Sequence, residues 1–128
     1  MDAAELDGEI AAGVEFWGCD SHGALAGVMG IQAVRDVDLI RHAYVRPEHQ
    51  GEGIGRLLLE RLLACAERPM LVGTWSVAEW AIRFYRRNGF ELVTSGEKDR
   101  LLATYWQIPD RQVETSVVLV RSPAGSGA

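Results

Sequence analysis

Apolar positions alternate in the first third of the chain and then gather at helical spacing. Val14 to Cys19 predicts a strand, and Ala24 to Val34 a second, with the turn cluster Asp20-Ser21-His22-Gly23 between them, so the pair forms a hairpin. Gly27 and Gly30 limit the side chains of that second strand. Arg35 to Asp38 makes the next turn, and Leu39 to Val45 a third strand that ends before Pro47, which lacks a ladder donor. A helix is expected from about Gly55 to Glu67, stopped by Pro69. Met70 to Ser76 is continuously apolar, as in a strand covered on both faces. A second helix is expected from Val77 to Arg87, closed by Asn88-Gly89, and Phe90 to Val93 makes a short strand. Glu97 to Trp106 reads as a helical excursion broken at Ile108-Pro109, and Gln112 to Arg121 as the last strand. At the N-terminus, residues 2–12 predict a short helix with Asp2 as its cap and Leu6 and Ile10 at helical spacing.

Antiparallel hairpins followed by a βαβ unit predict an α/β protein with a mixed central sheet. Residues 1–122 are expected to form one domain, and the small-residue tail 123–128 to be disordered. The 128 residues are 48% hydrophobic and 24% charged, an ordinary globular composition with enough chain for a core. A formal net charge of −5 argues against nucleic acid or an anionic membrane as partner. No apolar run approaches the roughly 18–20 residues that span a bilayer. The acidic start, MDAAELDGEIAAG, has neither the basic nor the apolar region of a signal peptide. Cys19 and Cys65 form no CxxC pair, and two reduced thiols in a cytoplasmic protein are the expectation.

The chemistry concentrates in Tyr44-Val-Arg-Pro-Glu-His-Gln-Gly-Glu-Gly-Ile-Gly-Arg56. A P-loop would need a lysine after its last glycine, and the chain's lysine is Lys98. A dinucleotide fingerprint counted from Gly51 would need glycine where Arg56 stands. What remains is physical. Gly51, Gly53 and Gly55 permit positive φ and close approach of a ligand. Successive amides in such a loop can form an anion-binding nest, and the following helix adds about half a positive charge at its N-terminus. Arg56 places a cation at the rim. The competing reading is a glycine-rich strand-to-helix turn that holds no ligand.

The stretch resembles the GNAT superfamily of acyl-CoA-dependent N-acyltransferases, whose signature [QR]-x-x-G-x-[GA] is filled by Gln50, Gly53 and Gly55. Ala81-Ile-Arg-Phe-Tyr85-Arg-Arg-Asn-Gly-Phe90 is similar to the family's A-i-x-x-Y-x-x-x-G-F helix and strand, and the two motifs stand in the family's order. The resemblance implies a GNAT-like mixed sheet flanked by helices. It also implies N-acetyl transfer from acetyl-CoA, with no metal, to a small-molecule or peptide amine that attacks directly in a ternary complex. It assigns the backbones of Tyr44 and Val45 to the pantetheine arm, by strand addition. The amides of Gln50, Gly51, Gly53, Ile54, Gly55 and Arg56 go to the pyrophosphate, and Tyr85 to general acid at the thioester sulfur. For Tyr85 the alternative is a core aromatic beside Ile82 and Phe84.

Departures accompany the resemblance. The family opens with a strand and a helix that this chain lacks, so a truncated N-terminus or a second subunit, as in a homodimer, is implied. A family asparagine that contacts the cofactor is replaced by Ala78. The family's usual base positions are held here by Leu39 and Arg41, and strand alternation puts His42 on the opposite face from both. The excursion 97–111, with Asp99, Tyr105, Trp106 and Arg111, can close an acceptor site, form a dimer face or merely pack. Trp17, Trp75, Trp80 and Trp106 suit core, interface or substrate stacking alike. A non-catalytic acyl-CoA-binding or dimerisation module is the alternative function.

Overall fold

The computed structural model describes residues 13–21, 23–106 and 108–122. The helix expected at 2–12 and the tail 123–128 lie outside them. The described residues form a six-stranded sheet in the order β1-β2-β3-β4-β6-β5. Its strands are β1 (Val14–Ser21), β2 (Ala24–Val34), β3 (Val37–Val45), β4 (Met70–Trp75), β5 (Glu91–Leu92) and β6 (Ser116–Arg121). The helices are α1 (Ile54–Ala64), α2 (Glu79–Arg87), α3 (Ser95–Tyr105) and α4 (Asp110–Glu114). The mixed sheet and its flanking helices agree with the sequence reading. One stretch does not: residues 112–115, expected to begin the last strand, belong to α4 and its C-cap. Pro109 and Asp110 start that helix, with Val113 donating back to the Pro109 carbonyl at 3.1 Å.

Two apolar layers hold the sheet. On one face α1 and α2 cover Ala26, Met29, Ile40, Met70, Val72 and Leu119 with Leu58, Leu59, Leu62 and Tyr85. On the other, α3 covers Val37, Leu39, Leu71 and Val118 with Leu101 and Leu102. The excursion between the last two strands is therefore a covering layer. Its helix starts in a capping arrangement, the Glu97 amide donating to Thr94 Oγ1 at 3.3 Å. At its far end the Tyr105 hydroxyl donates to Asp36 at 2.6 Å, pinning α3 to the β2–β3 turn. That bond holds the Asp36 carboxyl below its ordinary range and pushes the Tyr105 phenol up.

Glycines set how closely these layers approach. A Cβ on Gly27 would come within 2.9 Å of Ile54 Cγ2 and 3.1 Å of the Tyr44 carbonyl. Its absence lets the first turn of α1 lie directly on β2. The helix start, and the loop before it, are thereby fixed against the sheet.

Candidate functional site

β3 and β4 run parallel but pair only at Asp38–Met70 and Leu39–Leu71. Beyond that point no ladder pair joins them, and the sheet opens into a splay. β3 is also bulged. Its register with β2 shifts between Val28 and Gly30, and His42 takes φ +54°, a left-handed conformation. This overturns the alternation expected for His42. Its ring stacks on Phe16, with centroids 6.0 Å apart. Phe16 pairs with Gly30, which pairs with Arg41, so the three share one face. The bulge has brought His42 onto the face of Arg41 rather than the opposite one.

The loop after β3 bends through a short 3-10 turn, Pro47–His49. Gln50 Nε2 donates to the Val45 carbonyl at 3.3 Å, and His49 Nδ1 meets Glu52 at 3.0 Å. Gln50's side chain therefore folds the loop back onto β3, while its amide stays with the loop. Gly51 and Gly53 have φ of +86° and +83°, and a Cβ on either would meet nothing within 4 Å. Gly53 is the N-cap of α1, and no side chain caps that end. The amides of the first turn thus face open space, with the helix dipole behind them. Gly55 differs: its φ is ordinary, and a Cβ there would stand 3.5 Å from the Phe84 ring. It allows α1 and α2 to come close.

This loop forms one wall of a cavity of about 650 Å³. Val45, Gln50, Gly51, Gly53, Ile54, Gly55 and Arg56 all line it. The facing wall is a stripe on α2, Trp80, Phe84 and Arg87 at i, i+4 and i+7. Trp80 is 73% exposed. Neither it nor Arg87 carries a motif signal; the helical stripe alone marks them. Arg56, expected as the rim cation, has its Nε 2.9 Å from Glu60. Arg87 makes no ion pair among the described residues and is the better-placed free cation. An uncapped helix end, left-handed glycines over open space and two arginines fit a diphosphate-bearing cofactor with a long arm.

Tyr44 and Tyr85 are off this wall. The Tyr44 side chain is 57% exposed. Tyr85 is buried, packed edge-on against Phe84 and Phe90 at 5.1 and 5.4 Å. Its position in α2 is fixed by a Schellman close, with Phe90 donating to the Tyr85 carbonyl at 3.1 Å and Gly89 to Arg86 at 3.2 Å. Burial pushes its phenol up to about 12. The hydroxyl makes no hydrogen bond among the described residues, and no buried side-chain oxygen there lacks a partner, so its tip keeps contact with solvent. The free cysteines Cys19 and Cys65 also lie off the cavity wall.

A family model described as an acetyltransferase (GNAT) domain matches residues 4–92. The L-amino acid N-acyltransferase MnaT of Escherichia coli (strain K12) is 29% identical over 96 residues, covering 68% of this chain and 56% of that one. The chain thus spans about half the length of that curated relative. A GNAT-family acetyltransferase from Staphylococcus aureus Mu50 superposes with a TM-score of 0.72 at 18% identity, over 95% of this chain and 80% of that one. A GNAT-family acetyltransferase from Elizabethkingia anophelis with acetyl-CoA bound gives 0.71 at 18% identity, over 94% and 83%. The ribosomal-protein-S18-alanine N-acetyltransferase of Escherichia coli gives 0.71 at 18% identity, over 100% and 82%. These structural likenesses establish the fold.

Proposed function

The chain belongs to the GNAT acetyltransferase family, and from that premise we propose that it transfers an acetyl group from acetyl-CoA to a primary amine by direct attack. The observation that carries this reading is the coincidence of three features. The N-terminus of α1 is uncapped behind left-handed Gly53, a cavity of about 650 Å³ faces it, and β3 is released from β4 beside it. In the reaction the amine nitrogen bonds the thioester carbonyl carbon as the C–S bond breaks.

The residues divide this work. The amides of Gly51 and of Gly53 to Arg56 hold the pyrophosphate, those of Gln50 and Glu52 being bonded to the Pro47 and His49 carbonyls; Arg87 adds charge, and Trp80 and Phe84 cover the arm. Released from β4, the Tyr44–Val45 backbone pairs with the pantetheine amides. Tyr85 assists the departing thiolate. With its phenol near 12 and a thiol near 8.5, full proton transfer runs uphill by about 3.5 pH units, or ~5 kcal/mol. Tyr85 therefore works by donating a hydrogen bond from its tip.

A second reading, a non-catalytic acyl-CoA-binding module, draws on the position of Tyr85 off the cavity wall. Release of CoA thiol from acetyl-CoA over a panel of amines, amino acids and peptides separates the two. Amine-dependent release supports the transferase; tight acetyl-CoA binding without release on any acceptor supports the module.

A further inference from the structure

A second cavity, of about 260 Å³, lies where β4 runs out of cover. Its floor is Gly73 to Trp75, the stretch of β4 beyond the last pair with β3 at Leu71. The splay is thus flanked by both cavities: Val45 lines the first and Gly73–Trp75 the second. Apolar walls come from Trp75, Leu102 and Trp106. Glycine at 73 keeps the space open, since a Cβ there would already stand 3.5 Å from the Trp106 ring.

Two properties define the occupant. None of the lining residues among those described carries a formal charge, in contrast to the first cavity with Arg56 and Arg87. A carboxylate or second ammonium entering here would exchange its water for neutral groups alone, with no opposite charge to pair with. The polar groups present also have a direction. Ser116 Oγ donates to the Gln112 carbonyl at 2.6 Å, and Thr115 Oγ1 to the Arg111 carbonyl at 3.2 Å. With their protons committed, both hydroxyls offer a guest only lone pairs, which repel a carboxylate.

We propose, resting on the acyl-transfer reading, that this cavity receives the non-reacting part of the acceptor and selects a primary amine bearing a neutral aromatic group. The volume accommodates about one aromatic side chain between the two indoles. One ammonium proton passes to solvent before attack, the N–C bond forms as C–S breaks, and the second proton ends on the departing thiolate.

The test follows CoA thiol release by the full chain at saturating acetyl-CoA, with 2-phenylethylamine, phenylalanine methyl ester, phenylalanine and putrescine as acceptors. The first two should show kcat/KM about ten-fold or more above the last two. Gly73→Leu, and in lesser degree Gly73→Ala, should lower kcat/KM for 2-phenylethylamine while calorimetry finds acetyl-CoA affinity unchanged. Equal or better use of phenylalanine or putrescine overturns the assignment and leaves acyl transfer standing. So does full activity on 2-phenylethylamine in a folded Gly73→Leu protein. No release with any amine while acetyl-CoA still binds overturns both.

Discussion

The imidazole of His42 lies on the ring of Phe16, planes 28° apart, although the two belong to strands separated by β2. Gly30 makes this possible. A Cβ there would come within 2.8 Å of the Arg41 carbonyl, 2.9 Å of Val14 and 3.2 Å of Phe16. The bare strand lets Phe16 lie across it and reach the bulge. Gly30→Ala should therefore force the backbone of β3 to shift and destabilise the fold by about 1–3 kcal/mol. Urea unfolding checks this, and an unchanged midpoint would show that the contact is loose.

Tyr85→Phe removes a hydrogen-bond donor while leaving the ring packed against Phe84 and Phe90. Because the hydroxyl makes no hydrogen bond among the described residues, stability near neutrality should hardly change. We expect kcat to fall by about ten-fold or more, with KM for acetyl-CoA nearly unmoved. Equal activity would remove Tyr85 from the mechanism.

The raised phenol of Tyr85 also sets a pH dependence. Its folded pKa of about 12 exceeds the unfolded value near 10, so its stabilising contribution is present below pH 10 and is lost as pH rises from 10 to 12. The alkaline loss of stability over that range should be shallower in Tyr85→Phe, as read from thermal melts at stepped pH. Any limb of kcat that survives the substitution belongs to another group.

Arg87 and Arg56 should differ in their effect on the cofactor. Arg87→Ala should weaken acetyl-CoA binding several-fold and flatten its dependence on salt, because a free cation at the rim is lost. Arg56→Ala should do less, since Glu60 already occupies that guanidinium. Affinities measured at two ionic strengths decide the order.

The glycine loop is legible in the sequence because its cause is local: Gly51 and Gly53 need positive φ, and their neighbours complete a motif. Gly27 and Gly30 are not legible in the same way. The reason for each lies in a residue far along the chain, Ile54 for one and Phe16 with Arg41 for the other. His42 escapes prediction because a bulge is an event of register between two strands, and alternation assumes it away. Residues 112–115 read as strand because they run into the apolar stretch Val117–Val120, while Pro109-Asp110 signals a helix start just before them. Arg87 carries no motif, and only the helical stripe shared with Trp80 and Phe84 puts it at the cavity.

The central claim is that the backbone around Gly53 cradles the phosphates of acetyl-CoA. Valine at Gly53 would be strained at φ +83° by about 1–2 kcal/mol and would fill the open space above the helix end. Titration calorimetry of acetyl-CoA into the native protein and into Gly53→Val, with melting curves to confirm that both are folded, is the direct test. Binding by the native chain and loss of about ten-fold or more in the variant is the predicted result. Unchanged affinity in a folded Gly53→Val protein would contradict the cradle.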